Sequence, residues 1–111
     1  MTGKILKIGN EEYVLKFTTN TMCIMANDGI DVMDLDSVNF NMPTIRKFFY
    51  YALKAERKKI TENKAGDLMD KFIEEGHEIN DVLEVIMEVL AQSLGALDDA
   101  DNKDDAEGKQ E

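Results

Sequence analysis

Three consecutive stretches of the chain repeat apolar residues at spacings of three and four, a period that commits them to helices sharing a common core. Ile45, Phe48, Phe49, Ala52 and Leu53 mark the first, Leu68, Met69, Phe72 and Ile73 the second, and Val82, Leu83, Ile86, Met87, Val89 and Leu90 the third. Each stretch carries its own start or stop signal. Asn41 ahead of Met42-Pro43 predicts a helix over about 43–58, because a proline in the first turn gives up an amide that has no partner there anyway. Lys47, Lys54, Arg57 and Lys58 fall on its far side or at its end, where cations suit the helix dipole. Thr61 predicts the cap of a helix over about 62–75, which Gly76 terminates and Gly66 weakens in its first half. A last helix over about 80–94, with Asp81, Glu84 and Glu88 outward, is expected to be the central one.

Ahead of these stretches the pattern changes. Lys4 to Ile8 and Tyr13 to Thr18 are rich in β-branched and aromatic residues, and Gly9-Asn10 between them can supply the positive φ angles of a tight turn. This predicts a β-hairpin over 4–18. A lone two-stranded hairpin is marginal in water, so one of its faces must rest on the helices. Thr19 or Asn20 can cap a short helix over about 20–26, which Asn27-Asp28-Gly29 ends; residues 27–42 read equally as extended or as another short helix. The fold class is therefore mainly α, an N-terminal β-hairpin followed by a small bundle of about four helices. With 111 residues in all, it forms one small domain over 1–97.

Beyond Leu97 no apolar residue larger than alanine occurs, and residues 98–111 are expected to be a disordered acidic tail. The chain holds 13 basic and 23 acidic residues, net −10, and Asp98–Glu111 alone contributes seven acids and two lysines, net −5. Arg46–Lys64 runs the other way, with seven basic residues against two acidic ones. An acidic chain opposes binding along a phosphate backbone, so nucleic acid is a poor partner, and the lysines around Lys54–Lys59 read as a solvated helix end rather than a groove reader. The apolar runs are too short for a membrane span and the N-terminus does not resemble a secretory signal. A single cysteine, Cys23, rules out an internal disulfide and a cysteine-rich zinc site, and a reducing cytoplasm fits.

Catalytic chemistry finds little to work with. Cys23 and His77 are the only candidates for a nucleophile and base pair, and each has a simpler reading, as a small apolar helix residue and as an interhelix loop residue. Asp28, Asp31, Asp34 and Asp36 fail the calcium-loop pattern, since counting from Asp34 the fifth and sixth positions are Val38 and Asn39 where a ligand and a glycine are needed. No catalytic residue, metal ligand or cofactor is expected. The run Phe48-Phe49-Tyr50-Tyr51 is more telling, because consecutive helical residues point about 100° apart and four rings cannot share one face. Either Tyr50 and Tyr51 lie on the hairpin and the last helix, or rings are left for a partner. Met22, Met25, Phe48, Phe49, Tyr50 and Tyr51 are the candidate partner-binding residues, methionine because it adapts to varied apolar surfaces.

In order along the chain come the hairpin Lys4-Ile5-Leu6-Lys7-Ile8-Gly9-Asn10-Glu11-Glu12-Tyr13-Val14-Leu15-Lys16-Phe17 and the aromatic helix after Met42-Pro43. Ile60-Thr61-Glu62-Asn63-Lys64-Ala65 then opens a helix through Leu68-Met69-Asp70 that closes in Ile73-Glu74-Glu75-Gly76, and an acidic helix ends in Ser93-Leu94-Gly95. Over residues 4 to 95 this succession resembles the tail assembly chaperones of long-tailed bacteriophages and prophages of Gram-positive hosts. The resemblance implies a non-enzymatic protein of the host cytoplasm that binds the tape measure protein and delivers it to the tail tube protein. It carries no catalytic or position-specific binding residues across, and it leaves self-association open. A reading of another class, a small acidic regulator that binds a basic protein or a transcription factor, follows from the charge alone.

Overall fold

The computed structural model describes residues 3–95 and shows a two-stranded antiparallel hairpin followed by four helices. The expectation for residues 98–111 lies outside the described residues. Strands β1 (Lys4–Ile8) and β2 (Glu11–Leu15) flank the turn Gly9-Asn10, with Ile8 opposite Glu11 and Lys4 opposite Leu15. Gly9 sits at φ 66°, a left-handed conformation that favours glycine. A Cβ there would also come within 2.8 Å of the Lys71 side chain. The strand period of two sends Ile8, Tyr13 and Leu15 to one face, where all three are buried, and leaves Ile5 and Lys7 in solvent.

Helix α1 (Thr19–Asn27) is capped one residue earlier than expected, by Thr18, whose hydroxyl accepts the Thr21 amide at 3.1 Å. Segment 28–41 is mostly irregular, with a single 3-10 turn at Leu35–Ser37, and it contributes Ile30 and Val32 to the core. Helix α2 (Met42–Lys54) starts where Asn41 accepts the Thr44 amide at 3.0 Å; α3 (Glu62–Glu74) starts where Thr61 accepts the Lys64 amide at 3.1 Å. Helix α4 (Ile79–Ser93) opens with a reciprocal box in which the Asp81 carboxylate accepts the Glu78 amide at 2.8 Å.

The expectation for α2 is corrected at its C-terminus, since the helix ends at Lys54 and not near residue 58. In a continuing helix the Ala52 carbonyl would accept the Glu56 amide. Here it accepts the Lys16 amide at 3.1 Å, and Glu56 turns back to Leu53 instead. The central helix is also α2 rather than α4: it packs on β2, α3 and α4, and it buries Ile45, Phe48, Phe49, Tyr51, Ala52 and Leu53. At 100° per residue those six side chains sweep about 200° of its circumference, leaving Tyr50 near the middle of the remaining arc. Phe48 is the hub. It meets Phe17 edge to face at 6.2 Å and stacks on Phe40 at 5.4 Å, so the exit of the hairpin and the irregular segment close over it from two sides.

Ser93 ties the far end of the chain to the hairpin. Its hydroxyl accepts the Phe17 amide at 3.2 Å while donating to the Val89 carbonyl at 2.9 Å. Ser93→Ala leaves the Phe17 amide without that partner and is expected to cost about 1–2 kcal/mol, lowering Tm by several degrees, while Ser93→Thr retains most of it. Thermal melts followed by circular dichroism check this.

Gly66, a helix weakener by sequence, lies on α3 where the aliphatic stem of Arg46 crosses it, and a Cβ there would meet Arg46 Cδ at 3.2 Å. The Arg46 side chain is 39% exposed and has to yield only a few tenths of an ångström at an aliphatic carbon, so Gly66→Ala is expected to gain about 0.5–1 kcal/mol from helix propensity. A fall in Tm would show instead that Arg46 is pinned.

Candidate interaction surface

The structure disperses the residues that the sequence singles out. Met25, Phe48 and Phe49 are fully buried, Tyr51 is 8% exposed and Met22 is half-buried. In this conformation only the half-buried Met22 and Tyr50 offer a partner appreciable surface, and Tyr50 already carries the Lys54 ammonium 5.4 Å from its ring centre. Tyr51 does not reach across to the last helix by its polar end. Its hydroxyl donates to Asp28 at the end of α1 at 3.3 Å, and Lys47 donates to the same carboxylate oxygen at 2.9 Å. The four-ring run is thus resolved mainly as core, because α2 is enclosed on more than one side.

Cys23 is exposed on α1, and not packed as a small apolar residue. His77 lies between α3 and α4, its ring stacked on Phe72 at 3.9 Å and its Nδ1 3.8 Å from Asp81. Among the described residues no group of histidine, cysteine and carboxylate side chains is arranged to hold a metal ion.

Helix α3 separates two concave surfaces. On one side, between α3 and the start of α2, runs a groove of about 590 Å³. Met42 and Pro43 form one wall, Met69 and Ile73 the other, with Gly66 and the Arg46 stem between them. Met42 is 57% exposed and Ile73 37%, so the groove presents apolar surface to solvent. Arg46 holds Glu62 at 3.4 Å across the helix pair, and Asp67 and Asp70 edge the groove. The sequence reading places Ile73 in the buried stripe of α3, yet at 100° per residue it sits about 80° from Ala65, at the stripe's margin. The fourth buried position on α3 is Ala65. Met42 stands ahead of the periodic stretch, where no repeat marks it.

On the other side of α3 lies a cleft of about 800 Å³ between the hairpin, the turn after α2 and α3 itself. Ile8, Tyr13, Ile60 and Leu68 line it with apolar surface, and five cations, Arg57, Lys58, Lys59, Lys64 and Lys71, stand around it against the carboxylates of Glu11 and Asp67. Arg57 is committed: its guanidinium lies 4.3 Å from the Tyr13 ring centre and donates to the Glu12 carbonyl at 3.4 Å. Burial, with Glu11 accepting its hydroxyl, raises the Tyr13 pKa above the ordinary value.

The family model described as a domain of unknown function (DUF5055) matches residues 2–111. The chain belongs to that family. No curated protein and no solved structure is significantly similar to it. Among the described residues, no helix is long and apolar enough to cross a membrane.

The Tyr51–Asp28–Lys47 cluster fixes a dependence on pH at both ends of the scale. Burial, and then the neighbouring Asp28 carboxylate, push the Tyr51 hydroxyl up to about 12 from 10.0. The folded state therefore holds that proton more tightly than the unfolded chain, and the associated stability is complete below pH 10.0 and lost as pH rises toward about 12. Asp28 moves the other way, lowered from 3.8 chiefly by the hydrogen bond from Lys47, so its contribution is present above that value and lost as pH falls through the folded one. Urea unfolding across pH is expected to show Tyr51→Phe losing less stability than wild type in the alkaline limb. Asp28→Asn is expected to be less stable than wild type near neutrality and to converge with it in acid.

Proposed function

We propose that this chain is a non-enzymatic binding protein, a tail assembly chaperone of a long-tailed phage or prophage, and that the groove between α2 and α3 receives an amphipathic helix of the tape measure protein. The observation that carries this reading is the exposed apolar surface of Met42 and Ile73 flanking a preformed groove. A helix laid in a groove buries anchors at spacings of three and four, and walls that carry Met42 on one side and Met69 on the other can adjust to varied anchors. The order of elements, a hairpin and then four helices with the second opening on Met42-Pro43, is the order on which the resemblance to these chaperones rests. Bound in the host cytoplasm, the aggregation-prone tape measure protein is kept soluble until it is delivered to the tail tube protein.

The test is co-expression with the longest helical protein encoded beside this chain, followed by measurement of how much of that partner stays soluble and co-purifies. Wild type is expected to recover the partner as a defined complex, and Met42→Asp or Ile73→Asp to weaken it at least about tenfold. Tm should change little for the first, whose side chain is 57% exposed, and fall for the second, which is 37% exposed and in the last turn of α3. A partner that remains insoluble beside a soluble wild-type chain overturns the proposal. Equal recovery by the two variants would move the contact away from this groove.

A further inference from the structure

We propose that the basic cleft on the hairpin side of α3 is the docking site of the chain's own acidic segment, Asp98–Glu111. The cleft is lined by five cations and two carboxylates, in a chain whose net charge is −10. Among the described residues Lys58, Lys59, Lys64 and Lys71 form no ion pair, although other lysines of the body, Lys4, Lys16 and Lys47, each have one. The four unpaired ammonium groups outnumber the cleft's two carboxylates, Glu11 and Asp67, and a surface with that positive excess attracts a polyanion over about a Debye length. Asp98–Glu111 supplies seven carboxylates against two lysines.

The path is short enough. Ser93 at the end of α4 holds the Phe17 amide at 3.2 Å, and Tyr13 of the cleft lies four residues back along the same strand run, about 13 Å at the rise of a β-strand. The residues from 96 to 111 can span up to about 50 Å when extended, several times that distance. Ser93, five residues before Asp98, stands beside the hairpin, and a chain of that length can carry carboxylates to the lysines without unfolding any element. Aspartate and glutamate interspersed with alanine and glycine also suit a lysine-rimmed cleft, since a lysine ammonium is a flexible point charge that can meet a carboxylate in more than one register.

The experiment uses the full chain carrying Cys23→Ser and Ala106→Cys with a nitroxide on residue 106. Relaxation enhancement is read at the backbone amides of Lys58, Lys59, Lys64 and Lys71 and, as controls, at Glu84 and Glu88 on the outer face of α4. At low salt the cleft amides are expected to broaden severalfold more than the controls. The excess should vanish at about 1 M salt, where the Debye length is about 3 Å, and should not change on dilution. Replacing Asp98, Asp99, Asp101, Asp104, Asp105 and Glu107 by their amides, which leaves the folded body untouched, should bring the cleft amides to the control level. Equal broadening of cleft and control amides overturns the proposal. So does an excess that survives high salt, or one that falls on dilution, which would assign the cleft to the acidic segment of a second copy.

Discussion

The hydrogen bond from the Lys16 amide to the Ala52 carbonyl fixes more of this molecule than its length suggests. It docks the exit of the hairpin on the middle of the bundle, and it diverts a carbonyl that α2 would otherwise spend on its own next turn. Lys16 then reinforces the junction through its ammonium, 2.7 Å from Glu56, and holds that carboxyl below its ordinary pKa. With the helix stopped, residues 55–60 turn back toward the hairpin, where Arg57 covers Tyr13. The lysines that follow are brought to the rim of a cleft instead of being strung along a helix face. The next amide, Phe17, finds its partner in Ser93, so two successive residues tie the exit of the hairpin to α2 and to α4.

Phe48 and Phe49 illustrate how enclosure changes the meaning of a motif. On a helix covered on one side, four consecutive aromatic residues must offer rings to solvent. On α2 the hairpin, α3 and α4 cover a wide arc, the irregular segment adds Phe40, and only Tyr50 is left near the surface. Burial of large aromatic side chains of this kind supplies much of the hydrophobic driving force available to a small domain. The apolar side chains left exposed are less conspicuous ones, among them Ile5, Ile24, Met33, Met42 and Ile73, beside the lysines of the turn and of α3.

Helix α3 divides these surfaces by chemistry. Lys64, Leu68 and Lys71 recur at spacings of four and three toward the cleft, while Gly66, Met69 and Ile73 recur at three and four toward the groove. Asp67 lies between and borders both. One helix thus presents a cationic face and an apolar face on opposite flanks, which suits a protein that holds one ligand by charge and another by hydrophobic burial.

What the sequence determined by itself is whatever is set within a few residues. The helices over the three apolar repeats, the caps at Asn41 and Thr61, the Gly9-Asn10 turn and the position of His77 between two helices all follow from local spacing and capping chemistry, and all stand in the structure. Residues 27–42 were open to two readings because the alternation of apolar and polar residues over Ile30–Phe40 suits an extended segment or a short helix, and their shape comes from Ile30, Val32 and Phe40 finding places in a core built by other elements. The end of α2 and the seating of Tyr51 were decided by tertiary structure. Each depends on a group distant along the chain, Lys16 for Ala52 or Asp28 for Tyr51, and local periodicity carries no record of which neighbour will arrive.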